Sequence, residues 1–294
     1  MFRGTYTALV TPFTHGQLDE DALAAHVERQ IAAGVDGVCP VGTTGESPTV
    51  THAEHVRAVE IAVATARGRC QVIAGAGSNS TAHALELLHA VEEAGADGAL
   101  IVTPYYNKPS QEGLFRHFWT LALATKLPIV LYSVPARCVV EIGVETAARL
   151  ARECANIVAI KEAGGNVDRV SQLRAALPAG FPILCGCDEL NLPMLAAGAD
   201  GVVSVASNLI PQEIGDLVRA FARGKHDLAQ HLHAKYYALC KDLFIDPNPV
   251  PVKTAMLLAG LLPSDEVRLP LVPMSKENLA RLKATLAAAD LLPG

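Results

Sequence analysis

The sequence lacks the two features that would assign it to a membrane or to nucleic acid. No apolar stretch is long and uninterrupted enough to span a bilayer, and no run of Lys or Arg provides a basic surface. The formal net charge is -6 over 294 residues, a balance that disfavours nucleic acid and anionic membranes as partners. We therefore expect the partners to be small molecules and further copies of the chain.

From its first residues we expect no signal peptide. The first residues run directly into the apolar segment 7–10, without separate basic and apolar regions. We therefore expect a cytoplasmic protein. With 50% hydrophobic and only 18% charged residues, the chain has enough apolar side chains for one large core.

The number of cysteines is odd. Seven scattered cysteines are typical of reduced thiols in a reducing compartment. The only close pair is Cys185 and Cys187, and no cluster of Cys or His with ligand spacing lies near it in the sequence. We therefore expect no metal site, and we interpret the pair as small residues at a strand end.

A recurring fragment reveals the architecture. The pattern Ala-Gly-x-Asp-Gly occurs at 33–37, 94–98 and 197–201, each time where a helical pattern gives way to an apolar one. Glycine allows the left-handed conformation that ends a helix, and the following run begins a buried strand. The spacings fit two and three units of roughly 30 to 34 residues, the size of a βα repeat.

The remaining apolar runs complete a set of eight predicted strands, which favours an α/β fold of the (β/α)8 or TIM barrel type over a doubly wound sheet. Helical patterns near 226–242, 252–259 and 276–289 then predict a C-terminal helical appendage. We expect a catalytic barrel at 1–224 and a helical domain at 225–294. The predicted strands lie at 8–11, 37–41, 72–75, 99–103, 129–132, 157–161, 183–186 and 201–204.

Lys161 is the most informative residue, because it ends the apolar run 156–160, a pattern typical of a buried parallel strand. Burial disfavours the ammonium form of a lysine and favours the free amine, which can attack a ketone and form a Schiff base. The alternative is a structural lysine paired with Glu162 or another acid. From this segment alone, both interpretations stay open.

Polar residues at other strand ends favour the chemical interpretation, because active sites of βα barrels lie at the C-terminal ends of the strands. The loop GTTGES at 42–47 is glycine-rich but lacks the ending of a P-loop, so we expect it to bind a small anion such as a carboxylate rather than a phosphate. The polar strand-end residues are Thr43, Thr44, Tyr105, Tyr106, Asn107, Tyr132, Arg137, Lys161 and Asp188.

Five motifs in order resemble the dihydrodipicolinate synthase family, which belongs to the superfamily of pyruvate-dependent class I aldolases and N-acetylneuraminate lyases. The resemblance extends from about residue 2 to residue 292. The motifs are GTTGES at 42–47, VTPYYNKPSQEG at 102–113, LYSVPAR at 131–137, IKEA at 160–163 and PNPVPVK at 247–253.

The resemblance implies a lyase that condenses pyruvate with L-aspartate 4-semialdehyde, in the diaminopimelate route to lysine, without a cofactor or metal. Lys161 would form the imine with pyruvate, while Tyr132, Thr43 and Tyr106 would relay protons. Thr44, Gly186 and Val203 would line the pyruvate site, and Arg137 would hold the carboxylate of the aldehyde. Tyr106 would reach into a neighbouring subunit, which implies a tight dimer and usually a tetramer formed as a dimer of dimers.

Each residue also has a simpler interpretation. Tyr132 is also explained as a half-buried core aromatic, Arg137 as a surface ion pair and Thr43 as a helix cap. The chain departs from the family pattern around Arg137, where Ser133, Cys138 and Val139 replace Asn, Thr and Gly, and again in Cys-Gly-Cys-Asp at 185–188. These departures affect the expected aldehyde site more than the pyruvate site.

The resemblance also implies an effector site for lysine at a dimer interface. Sensitive family members carry a glutamate at position 83, whereas this chain has His83, which offers no negative charge to an ammonium group. We expect weak or absent inhibition by lysine. The residues that match this effector site are Ser47, His52, His55, Asn79, His83 and Tyr105.

Two other functions remain open from the sequence. One is another pyruvate aldolase, either an N-acetylneuraminate lyase or a 2-keto-3-deoxy sugar acid aldolase, and the resemblance implies that such enzymes lack Arg137. The other is a non-catalytic ligand-binding barrel, which the set of Lys161, Tyr132, Thr43 and Tyr106 disfavours.

Overall fold

The computed structural model describes residues 2–293, and eight parallel strands form a closed barrel within it. Each strand is hydrogen-bonded to the next one along the chain, and the last pairs with the first, which confirms the predicted (β/α)8 barrel. The barrel strands are β1 (Gly4–Ala8), β4 (Gly37–Cys39), β5 (Gln71–Gly75), β6 (Gly98–Val102), β7 (Ile129–Ser133), β8 (Ile157–Glu162), β9 (Ile183–Cys185) and β10 (Gly201–Ser204). A short antiparallel hairpin, β2 (Phe13–Thr14) with β3 (Gln17–Leu18), follows β1.

The predicted position of the first strand is wrong. The strand was expected at 8–11, but it occupies Gly4–Ala8, so that Tyr6 pairs with Val203 on one side and Gly37 on the other. Thr5, Tyr6 and Thr7 look too polar for a buried strand, yet all three are buried. Hydrogen bonds explain the burial of two of them, because Thr7 donates to Gln30 Oε1 at 2.7 Å and the Tyr6 hydroxyl donates to Gln71 Oε1 at 2.5 Å. The Thr5 hydroxyl is buried without a partner among the described residues.

Helices alternate with the strands and cover the outside of the barrel. The recurring glycine turn behaves as predicted, since Gly34, Gly95 and Gly198 all adopt positive φ angles just after a helix. The helices are α1 (Glu20–Ala32), α2 (His52–Ala66), α3 (Thr81–Glu93), α4 (Gln111–Ala124), α5 (Pro135–Cys138), α6 (Val144–Glu153), α7 (Val167–Ala176), α8 (Asn191–Ala196), α9 (Pro211–Ala222), α10 (His226–Asp242), α11 (Val250–Leu258) and α12 (Lys276–Ala288).

The C-terminal helices α10, α11 and α12 form the predicted appendage. Helix α10 packs on α9 and α12, and α11 packs on α12 and on the turn after β10. The boundary at residue 224 stays a proposal. The segment that leads into α11 reaches the loop after β4, because Asn248 Nδ2 donates to the Thr44 hydroxyl oxygen. Within residues 2–293, no helix has the length and apolar character needed to cross a membrane.

Candidate active site

Lys161 and Tyr132 are neighbours at the C-terminal ends of two adjacent strands. They are register partners on β8 and β7, and Lys161 Nζ lies 4.1 Å from the centre of the Tyr132 ring. Both side chains are buried, Lys161 at 5% and Tyr132 at 6% exposure. A lysine amine beside a phenol in a largely dry site is an arrangement suited to covalent and proton-transfer chemistry.

The alternative in which Lys161 pairs with Glu162 is wrong. Successive residues of a strand point to opposite sides, and Glu162 instead bonds Arg169 of α7 at 2.7 Å. It also accepts from the Gly164 amide at 2.7 Å. In the described part of the chain no carboxylate forms a salt bridge with Lys161, which leaves its amine available to a ligand.

Gly186 makes room for the Lys161 side chain. A Cβ atom at position 186 would lie 2.9 Å from Lys161 Cε and 2.7 Å from the Ala163 Cβ. Any larger residue would therefore displace the lysine or the strand end. Gly186 is held in place by its amide, which donates to the Glu162 carbonyl at 2.8 Å.

The cysteines near Lys161 are poor competitors as nucleophiles. Burial raises the pKa of Cys39 and of Cys187 to about 12, and the nearby charge of Lys161 only partly offsets this effect. Both thiols therefore stay protonated near neutral pH, and the thiolate is the reactive form. Cys185 and Cys187 are free, and within residues 2–293 no group of three or more Cys, His, Asp or Glu side chains is arranged to hold a metal ion.

The loop at 42–47 is a compact turn anchored from several sides. The Thr11 hydroxyl donates to the Gly45 carbonyl at 2.7 Å, and Glu46 is fully enclosed in an ion pair with Lys253 at 2.8 Å. Burial lowers the pKa of Lys253, and the charge of Glu46 opposes that shift. The alternative role of Thr43 as a helix cap is wrong, because Thr51 caps α2 through its hydroxyl and Glu54.

Thr44 is buried at the base of this loop, and its hydroxyl oxygen accepts from Asn248 Nδ2 at 3.0 Å. Asn248 belongs to the segment just before α11, so the appendage contributes directly to the site. The sequence motif at 247–253 includes Asn248 but gave no reason to assign it a role. A contact between residues 204 positions apart leaves no local sequence pattern.

Arg137 lies on the one-turn helix α5, directly after β7. Its guanidinium forms no ion pair in the part of the chain that the structure describes, so the surface ion-pair alternative is wrong, and its Nη2 donates to the Asn248 carbonyl at 3.3 Å. Val139 ends this turn with a φ of +67°, a conformation that is strained for a β-branched residue. The family's glycine would adopt that conformation freely, so the departure at Val139 changes the strain of the loop.

A cavity of about 430 Å³ lies between several of the expected catalytic residues and a group of histidines. Thr43, Tyr132 and Arg137 line it together with five residues expected to form an effector site: Ser47, His52, His55, His83 and Tyr105. Asn79, the sixth, is absent from the cavity lining, although its carbonyl accepts from Asn107 Nδ2 at 2.8 Å.

Tyr106 projects away from the chain. It is 87% exposed and has a φ of +73°, so the loop presents its ring to solvent rather than to the other site residues of the same chain. Val203 is buried on β10 and is the register partner of Tyr6 on β1. The structure thus places Lys161 next to both Tyr132 and Gly186. Tyr132, Thr43 and Arg137 line the cavity, whereas its described lining does not include Lys161, Thr44, Gly186 or Val203.

Comparisons with known proteins agree with this geometry. The family model described as "Dihydrodipicolinate synthetase family" matches residues 1–289. The chain belongs to the dihydrodipicolinate synthetase family. It is 47% identical to the 4-hydroxy-tetrahydrodipicolinate synthase of Aquifex aeolicus over 99% of both chains, and 49% identical to that of Geotalea daltonii over 99% of this chain and 100% of the relative.

The solved 4-hydroxy-tetrahydrodipicolinate synthase of Methylacidiphilum fumariolicum SolV superimposes with a TM-score of 0.97 at 52% identity, covering 99% of this chain and 96% of the other. The predicted family and barrel are therefore confirmed, as is the predicted enzyme class, a lyase of the aldolase type. Family membership leaves the role of each side chain to be argued from the site itself.

Proposed function

We propose that this dihydrodipicolinate synthetase family member condenses pyruvate with L-aspartate 4-semialdehyde through an imine at Lys161. The activity follows from similarity to named synthases over the full chain. The observation that supports the mechanism is the buried, unpaired amine of Lys161, 4.1 Å from the Tyr132 ring. The imine itself supplies the chemistry, so the proposal needs no resident cofactor or metal.

Imine formation turns the ketone of pyruvate into an electron sink. The Lys161 amine adds to the carbonyl carbon and water leaves, after which the protonated nitrogen accepts electrons from the methyl group as that group loses a proton. The resulting enamine carbon bonds to the aldehyde carbon of the second substrate. Attack of that substrate's amine on the imine carbon then closes the ring and releases Lys161.

Tyr132 is the group best placed to move protons. Its ring lies against Lys161, and its side chain also lines the cavity through which a substrate enters. A neutral phenol is a poor base by itself, so further hydroxyls are needed to pass the proton to solvent. We assign this relay to Thr43, which lines the same cavity, and to a Tyr106 ring from a second copy of the chain.

The two substrate carboxylates would bind at separate places. Thr44 and the backbone amides of its loop would hold the carboxylate of pyruvate, with Gly186 and Val203 beside the imine. Arg137 would hold the carboxylate of the aldehyde, because its planar guanidinium matches a carboxylate in two-pronged fashion. An arginine at this position favours the synthase over the sugar-acid aldolases, whose second substrates are polyhydroxylated aldehydes.

The exposure of Tyr106 supports an oligomer. An aromatic side chain that is 87% exposed on a left-handed loop residue contributes little stability to an isolated chain, whereas a partner's site would bury it. We therefore propose a tight dimer, paired again into a tetramer. The cytoplasmic location expected from the sequence stays a prediction.

The deciding experiment is reductive trapping. Incubation with pyruvate and borohydride should add one reduced pyruvate to Lys161, as located by peptide mass spectrometry. Lys161→Ala should lose both the label and the measurable reaction while retaining the barrel by circular dichroism. The matched control is Lys126→Ala, a change outside the site residues, which should retain label and activity. Labelling at any other residue, or no labelling of the wild type, would contradict the assignment.

A further inference from the structure

Asn248 occupies a position between the two residues that would bind the substrate carboxylates. Its side-chain amide donates to the Thr44 hydroxyl oxygen at 3.0 Å, and its backbone carbonyl accepts from Arg137 Nη2 at 3.3 Å. Only 5% of Asn248 is exposed, and its contact with Thr44 is buried, whereas the contact with the exposed Arg137 is partly buried. Hydrogen bonds in such surroundings hold their partners in one orientation.

The contact with Asn248 leaves the hydroxyl proton of Thr44 free for another partner. A threonine hydroxyl has one proton to donate and two lone pairs that accept. Because Asn248 Nδ2 is a donor, the Thr44 oxygen acts as the acceptor in this pair and its own proton is left for another partner. Among residues 2–293 no protein group accepts that proton. The hydroxyl is therefore prepared as a donor for an anion that enters the site.

Other contacts of the loop fix its backbone but not this hydroxyl. Thr11 bonds the Gly45 carbonyl, and Lys253 bonds the Glu46 carboxylate, at 2.7 and 2.8 Å. The backbone amide of Arg268 donates to the other Glu46 oxygen at 3.1 Å. The loop would therefore keep its shape if the Asn248 side chain were removed, whereas the orientation of the Thr44 hydroxyl depends on Asn248 in the described structure.

We propose that Asn248 is a positioning residue that orients the Thr44 hydroxyl toward the carboxylate of pyruvate. The proposal rests on the proposed function, which places that carboxylate at Thr44. The aldehyde site is touched only through the Asn248 backbone, which a side-chain substitution leaves in place. Asn248 thus links the appendage to both carboxylate sites. Its side chain contacts Thr44 at the pyruvate site, and its backbone carbonyl contacts Arg137 at the aldehyde site.

The test compares Asn248→Ala and Asn248→Asp. Asn248→Ala should raise the KM for pyruvate by about three- to tenfold, the change expected when one buried hydrogen bond is lost. Its KM for the aldehyde should stay within about twofold of the wild-type value. Asn248→Asp should raise the KM for pyruvate by more than Asn248→Ala, because a carboxylate accepts the Thr44 proton and repels the substrate anion. The control Asn278→Asp makes the same chemical change on α12, where the side-chain amide donates to the Ile245 carbonyl at 3.5 Å, and should leave both KM values unchanged.

A second measurement tests whether Asn248 acts through Thr44. In a Thr44→Val background the hydroxyl is absent, so Asn248→Ala should change the KM for pyruvate by less than about twofold. The inference is overturned if the full effect persists in that background. It is also overturned if both KM values rise together with a lower melting temperature, which is the result of a purely structural role. Borohydride trapping of the wild type separates these outcomes from a failure of the imine mechanism, since trapping depends on Lys161 alone.

Discussion

Lys161 Nζ lies 4.1 Å from the centre of the Tyr132 ring, and the two residues face each other as register partners on adjacent strands. The contact holds the amine at the barrel mouth, and no carboxylate of the described residues forms a salt bridge with it. Its position depends on the absence of a side chain at Gly186, which lies on the opposite side of the lysine.

Gly186→Ala should therefore impair imine formation. The new Cβ would lie 2.9 Å from Lys161 Cε and 2.7 Å from the Ala163 Cβ, so the lysine must move by a few tenths of an ångström or more. Because a displacement of this size in a reacting group is costly, we expect kcat/KM to fall by about 10- to 100-fold. The rate of borohydride trapping with pyruvate measures the effect directly. Adding Ala163→Gly relieves one of the two contacts and should recover only part of the rate, and trapping at the wild-type rate in Gly186→Ala would contradict the argument.

Arg137 is the residue through which the second substrate can be tested. Arg137→Ala should raise the KM for aspartate semialdehyde by about 10- to 100-fold, the range expected when a charged two-pronged contact is lost. The KM for pyruvate should change far less, because within residues 2–293 Arg137 forms no hydrogen bond with Lys161 or Thr44. Arg137→Lys keeps the charge but not the planar guanidinium, so its KM for aspartate semialdehyde should lie between those of the wild type and Arg137→Ala. Equal changes in both KM values, or activity with N-acetylneuraminate, would count against the assignment.

The fold could be predicted from the sequence largely because the signals that end its helices and begin its strands are local. The three glycine turns and the apolar strands that follow them are read from a few neighbouring residues, and Lys161 stands out at the end of such a strand. The first strand was misplaced because Tyr6 and Thr7 bond their hydroxyl groups to partners far along the chain, which a local sequence pattern does not show. Asn248 was missed for the same reason, since its function depends on a contact across the barrel mouth.

Buried histidines should make the stability of the protein depend on pH. Burial lowers the pKa of His55 to about 4 from an ordinary 6.5, with smaller contributions from His52 and His83, and its Nε2 bonds the Gly75 carbonyl at 2.8 Å. The unfolded chain thus binds a proton at a higher pH than the folded chain does. Stability attributable to His55 should therefore be lost as the pH falls from about 6.5 toward 4, and should be present in full above that window.

The variant that checks this is His55→Gln, whose amide can still donate to the Gly75 carbonyl but does not titrate. Urea unfolding at pH 7 and pH 5, at one protein concentration, should show that the variant loses about 1–2 kcal/mol less stability than the wild type over this range. The remaining dependence is expected from His26 and His117, whose pKa values burial also lowers to about 4. An identical pH dependence in both proteins would show that His55 titrates normally in the folded state.

The last prediction concerns inhibition by lysine. Ser47, His52, His55, His83 and Tyr105 line one cavity with Arg137, so the residues expected for an effector site do lie together. His83 is exposed and its Nδ1 lies 3.2 Å from the Ser78 hydroxyl, and it brings no negative charge to the cavity. An ammonium group of lysine would find imidazoles there in place of a carboxylate, which weakens the electrostatic attraction.

We therefore expect weak or absent inhibition of the wild type by lysine at pH 8, measured as residual activity over a range of lysine concentrations. His83→Glu should increase sensitivity by about tenfold or more in the half-inhibitory concentration, since it supplies the missing charge at a partly solvated site. His83→Gln is the matched control, because it changes the side chain without adding charge, and it should behave like the wild type. Near-complete inhibition of the wild type at sub-millimolar lysine would refute the charge argument, and so would equal sensitivity of the two variants.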